Sequence, residues 1–135
     1  MTEQTAASPF GPAIPILRIF DEKLAYRHYL DGLGFTLAWE HRFEPGMPLY
    51  AEVARGDIRL HLSGHYGDGT PGTALWVPVG DVRALYGELT ARFDVLGQRP
   101  GFEEHGPGGP GFTIGDPFGN HLRFAQVSEP DADLG

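Results

Sequence analysis

Six histidines are the first residues to test for chemistry: His28, His41, His61, His65, His105 and His121. His61 and His65 are four apart, but they straddle a predicted strand end and Gly64, so they do not share a helix face. His41 and His61 could meet on neighbouring strands, although a metal needs three converging ligands. Otherwise His61 reads as a cavity-lining or hydrogen-bonded polar residue. No Ser-His-Asp arrangement is legible, and the chain has no cysteine, which removes thiolate chemistry and disulfides. Glu103 and Glu104 are adjacent, and neighbours on a strand point to opposite faces, so they make a poor acid-base pair. The aromatics Trp39, Phe43, Tyr50, Trp76 and Phe102 offer flat faces for planar heterocycles and for cations. Ordinary core packing is the competing reading for each of them. Glu40, Glu44, Glu52, Glu103 and Glu104 could meet a cationic ligand.

These residues must be positioned by one domain, the size that 135 residues imply. Residues 1–12 read as a flexible lead-in, 13–127 as the domain and 128–135 as an acidic tail. Strands are predicted at 14–20, 35–43, 49–54, 58–63 and 74–79, with a hairpin at 112–124. Phe35, Leu37, Trp39, His41 and Phe43 are expected to share one strand face. Asp21 and Asp81 are N-caps of helices at 22–33 and 82–93. They lie sixty residues apart, each just past a strand, which marks an internal duplication. The modules run over about 13–63 and 73–127. The fold class is therefore α+β, with the helices packed on one face of the strands through Leu17, Ile19, Leu60, Leu62, Leu122 and Phe124.

The net charge of −8 argues against nucleic acid and favours solubility or cationic ligands. No apolar run approaches the ~20 residues of a membrane helix. The first residues lack the basic and apolar pattern of a secretory signal, so a cytoplasmic location is expected.

Three features carry a resemblance: Tyr29 within a helix, its terminus at Leu33-Gly34-Phe35, and the turn Asp116-Pro117-Phe118-Gly119-Asn120. In this order and spacing they resemble the vicinal oxygen chelate superfamily of glyoxalases, extradiol dioxygenases and bleomycin-resistance proteins. The segments 14–18 and 55–62 are most similar to the bleomycin-resistance branch. The resemblance implies two βαβββ modules forming half-barrel cavities, often across a homodimer. It also implies metal ligands at positions that hold Ile14, Ala74 and Arg123 here. An alkyl chain cannot ligate a metal and a guanidinium repels one. The expectation is thus a binding protein with no metal, cofactor or catalytic residue. It would sequester a planar, cationic antibiotic between Trp39, Phe43, Tyr50, His61, Trp76, Phe102, Glu103 and Arg123. The alternative is an enzyme of the same fold with a non-standard metal site or none. One departure from the branch is the loop at 105–111, which replaces a Pro-Trp-Gly segment whose Trp stacks on the drug.

Overall fold

The computed structural model describes residues 9–127. The expected acidic tail and most of the expected lead-in lie outside the described residues. Strand β1 (Ile16–Arg18) leads to helix α1 (Glu22–Tyr26), which continues as a wider π-helical segment, Arg27–Gly32. Then come β2 (Thr36–His41), β3 (Tyr50–Arg55) and β4 (Ile58–Ser63). The order repeats with β5 (Ala74–Val79), helices α2 (Val82–Thr90) and α3 (Phe93–Leu96), β6 (Gly111–Gly115) and β7 (His121–Gln126).

Both predicted caps form. The Asp21 carboxylate accepts from Leu24 N at 2.9 Å and that of Asp81 from Ala84 N at 3.1 Å, each satisfying a helix-end donor. The first sheet has the order β1-β4-β3-β2 and the second β5-β7-β6, with β1 parallel to β4 and β5 parallel to β7. This is the expected α+β architecture of two modules, left open rather than closed into a barrel. In the second module the remaining strand shrinks to a single bridge between Glu103 and Gly111. The intervening run of Gly and Pro lacks the side chains and N–H groups that a ladder requires.

One face of each sheet meets the helices. Leu17, Leu60, Leu62, Leu122 and Phe124 lie in one buried cluster with Tyr29, Leu33, Val82 and Leu89. Leu24 and Phe93, within the predicted helix ranges, are substantially exposed. Helix α2 stops at Thr90, and Phe93 opens the separate α3.

The Asp116-Pro117-Phe118-Gly119-Asn120 turn does more than reverse the chain. Asp116 Oδ1 accepts from the backbone N of Phe118 and of Asn120, both at 2.8 Å. Its Oδ2 accepts from the Tyr29 hydroxyl at 2.6 Å and Asn120 Nδ2 at 2.9 Å. Fully buried Asn120 also donates to the Arg18 carbonyl at 3.1 Å and accepts from Thr73 N at 3.2 Å. The turn therefore clasps the second hairpin to the helix and first strand of the other module.

Candidate functional site

The face of each sheet turned away from the helices carries the candidate residues. On β2 the expected common face is broken. Leu37 pairs with Val53 but Trp39 pairs with Glu52, so a bulge at Ala38 separates them. Phe35 is buried in the core, Leu37 shares the sheet face of its partner Val53 but is 40% exposed, and Trp39 and His41 turn to the open face. Phe43 lies beyond β2, 70% exposed, with its ring edge-on to His41 and His65.

The register Trp39–Glu52–His61 lines three residues across the first open face. Tyr50 OH lies 2.7 Å from His61 Nδ1, and His61 Nε2 lies 2.9 Å from Glu52 Oε1. Arg59 donates to Glu52 Oε2 at 3.2 Å. A carboxylate only accepts, so Nε2 carries the proton and Nδ1 accepts from Tyr50. Glu52 is 5% exposed and its charge is met on both oxygens. Burial, reinforced by Asp68, holds the Tyr50 hydroxyl above the ordinary phenol range. Trp39 lies parallel to Tyr50 with ring centres 6.0 Å apart and edge-on to His61 at 5.2 Å. It remains 42% exposed, which leaves its outer face available.

The second open face is simpler. Trp76 and Arg123 are register partners on β5 and β7, and Thr113 pairs with Arg123 from β6. Arg123 Nη1 donates to Glu103 Oε1 at 2.5 Å. Arg123 Nε and Nη2 are buried and have no partner among the described residues. Trp76 is 51% exposed. Phe102 departs from the group: it packs with Tyr86 and Phe112 at ring distances of 5.1 and 6.5 Å, on the helix side of the sheet. Its half-burial there reflects core packing.

His41 does not meet His61, because β3 lies between their strands; its ring contacts Phe43 at 4.7 Å instead. Among the described residues no three His, Asp or Glu side chains cluster in a way that could hold a metal. Ile14 is half-buried ahead of β1, Ala74 opens β5 and Arg123 is ion-paired; the side chains at these positions, where the resemblance implies ligands, do not fit a divalent cation.

A cleft of about 790 Å³ lies elsewhere, between the β3–β4 hairpin, β5 and α2. Its walls include Phe35, Ile58, Val77, Leu85 and Leu89, with the Arg55–Glu88 pair (2.7 Å) among the residues around it. Of the expected site residues only Trp76 reaches it. Sequence reasoning did not single out this cleft, because its walls come from separate elements whose apolar residues look like ordinary core. It also missed the orphaned edge of Arg123, which no local pattern announces.

No curated protein sequence matches the chain. Among solved structures, a bleomycin-binding protein from bleomycin-producing Streptomyces verticillus, complexed with copper(II)-bleomycin, is 29% identical. That match covers 90% of this chain and 99% of the other, with a TM-score of 0.66. A bleomycin resistance determinant encoded on the transposon Tn5 is 22% identical over 89% of this chain and 100% of its own, with a TM-score of 0.68. An antibiotic-binding protein from Streptomyces sp. CB03234 is 20% identical over 90% and 100%, with a TM-score of 0.64. The latter two likenesses speak to the fold alone. The family described as "Glyoxalase superfamily protein" matches residues 2–131, nearly the whole chain, and the chain belongs to that superfamily.

Proposed function

We propose that this protein binds a planar, cationic small molecule of the antibiotic class and sequesters it without making or breaking a bond. The observation that carries this reading is the half-exposed Trp39, stacked parallel on Tyr50 above a hydrogen-bonded His61–Glu52 pair. Such a platform offers a flat π-face to a ligand, with acidic groups nearby, and needs no reactive group. The likeness to a bleomycin-binding protein over 90% of the chain supports it. So do the open sheet faces: each carries a half-exposed tryptophan that a second copy would cover, completing a cavity in a homodimer. The working place of such a protein is the cytoplasm.

The test is titration calorimetry of the metal-stripped protein with metal-free bleomycin, together with light scattering. Submicromolar binding at one or two sites per dimer is expected. Absence of heat at high protein concentration would remove bleomycin as the ligand, and a monomer by scattering would remove the shared cavity. Trp39→Ala should weaken binding about tenfold, since an aromatic contact of this kind contributes roughly 1 kcal/mol or more.

The Tyr50–His61–Glu52 chain favours one second reading, a metal-independent enzyme. His61 Nδ1 is placed to take the Tyr50 proton while Glu52 holds the imidazole. Mass spectrometry of ligand recovered after long incubation separates the two. An unchanged mass supports sequestration, and a changed mass supports turnover.

A further inference from the structure

We propose that the Nε/Nη2 edge of Arg123 is an oxyanion subsite, taking a carboxylate or an isosteric group of an aromatic ligand that lies against Trp76. The inference rests on the binding function above and specifies the chemistry of the ligand on the second sheet.

The geometry begins with the strand register. Arg123 lies beside Trp76 on the open face of the second sheet. Its Nη1 is engaged by Glu103 at 2.5 Å, which fixes the plane of the guanidinium. The Nε–H and one N–H of Nη2 then project side by side. This parallel pair of donors matches the two oxygens of a carboxylate. Both nitrogens are buried and neither has a partner among the described residues. Buried donors left unmade are costly, so proteins seldom leave two on one side chain without a ligand, ion or water to complete them.

The surroundings fit the same ligand. Glu103 is 57% exposed, so water screens its charge and the guanidinium keeps the capacity to hold a second anion. The cover over Arg123 and Trp76 is backbone. A Cβ on Gly106 would lie 2.0 Å from Arg123 Nη2, and one on Gly108 would lie 2.6 Å from Trp76 Cζ2. Only glycine allows the loop to approach both groups this closely. The loop that stands in place of the branch's Pro-Trp-Gly segment is therefore shaped around the guanidinium and the indole. Trp76, 51% exposed, supplies the π-face beside the donors.

The test uses two probes of equal shape, naphthalene-2-carboxylate and naphthalene-2-carboxamide, on the full chain. The carboxylate should bind at least about tenfold tighter than the amide, because charge-assisted bidentate pairing is lost with the amide. The Arg123 Nε–H resonance should move downfield with the carboxylate only. Arg123→Lys keeps the positive charge beside Glu103 but removes the paired donors, and should abolish the preference. Gly106→Ala, whose Cβ would displace Nη2, should weaken the carboxylate and leave the amide unchanged. Equal affinities, a preference that survives Arg123→Lys, an unmoved Nε–H resonance or no binding of either probe would each overturn the subsite. If the carboxylate fails while metal-free bleomycin binds, the subsite falls and sequestration stands. If the carboxylate binds and bleomycin does not, the subsite holds and the cationic drug is the wrong ligand.

Discussion

The two open sheet faces occupy equivalent places in the duplicated fold but handle charge differently. A step of sixty residues carries Asp21 to Asp81 and Ile16 to Trp76. Ile16 pairs with His61, and Trp76 pairs with Arg123, so His61 and Arg123 stand at matching positions. On the next strand His61 faces Glu52, whereas Arg123 faces Thr113. A glutamate reaches across and satisfies its neighbour. A threonine is too short to meet the guanidinium, and among the described residues its partner is Glu103. Duplication thus preserved the scaffold and the register while the side chains diverged into one internally satisfied network and one with spare donors. The helices diverge in the same way. His28 on the first is 3% exposed, and its counterpart Glu88 on the second pairs with Arg55 and Arg92.

The largest expected effect comes from cutting the clasp that holds the two halves together. Asp116→Ala removes the acceptor of four hydrogen bonds, including that from Tyr29. Loss of several partly buried charge-assisted bonds should cost about 4 kcal/mol and lower Tm by roughly 10–15 °C, read by calorimetry. A Tm within a few degrees of wild type would mean that the modules cohere through their apolar contacts alone.

The helix comparison gives a pH test. Burial pulls His28 down to about 4 from its ordinary 6.5, against the opposing pull of the Asp116 carboxylate. Above pH 6.5 the histidine is neutral in both states and costs nothing. As pH falls from about 6.5 to 4 the unfolded chain takes up the proton and the native state resists it, so stability is lost. At about 1.4 kcal/mol per pH unit the full loss is about 3 kcal/mol. His28→Phe should flatten this part of the profile in urea titrations. Glu88, whose carboxylate Arg55 holds below its ordinary 4.5, adds a loss of the same sign only as pH falls to about 4.5 and below, so the loss between pH 6.5 and 5 reports His28.

Glu52→Thr imposes the second face's pattern on the first. It strips His61 Nε2 and Arg59 of their acceptor and should cost about 2 kcal/mol by chemical denaturation. The smallest effect is the converse exchange. Thr113→Glu places an acid beside Arg123 and should occupy its free edge, lowering affinity for naphthalene-2-carboxylate about tenfold with little change in stability. If both exchanges prove silent, the difference between the faces has no energetic meaning.

Periodicity, capping and the sixty-residue repeat were legible in the sequence because they depend on local geometry. Alternation along 58–63 sets which side chains face the core, and an aspartate before a helix satisfies the same donors wherever it occurs. The turn at 116–120 was readable for the same reason. What the sequence could not show arises where strands meet. The bulge at Ala38 inverts the faces of Trp39 and Leu37, and a one-residue register change leaves no trace in alternation alone. The pairing of His61 with Tyr50 and Glu52 rather than with His41, the seating of Phe102 against Tyr86 and Phe112, and the buried free edge of Arg123 all follow from contacts between residues distant in the chain. Residue type determined which chemistry was available, and only the tertiary register decided which donors found acceptors, because a hydrogen bond depends on separations of a few tenths of an ångström.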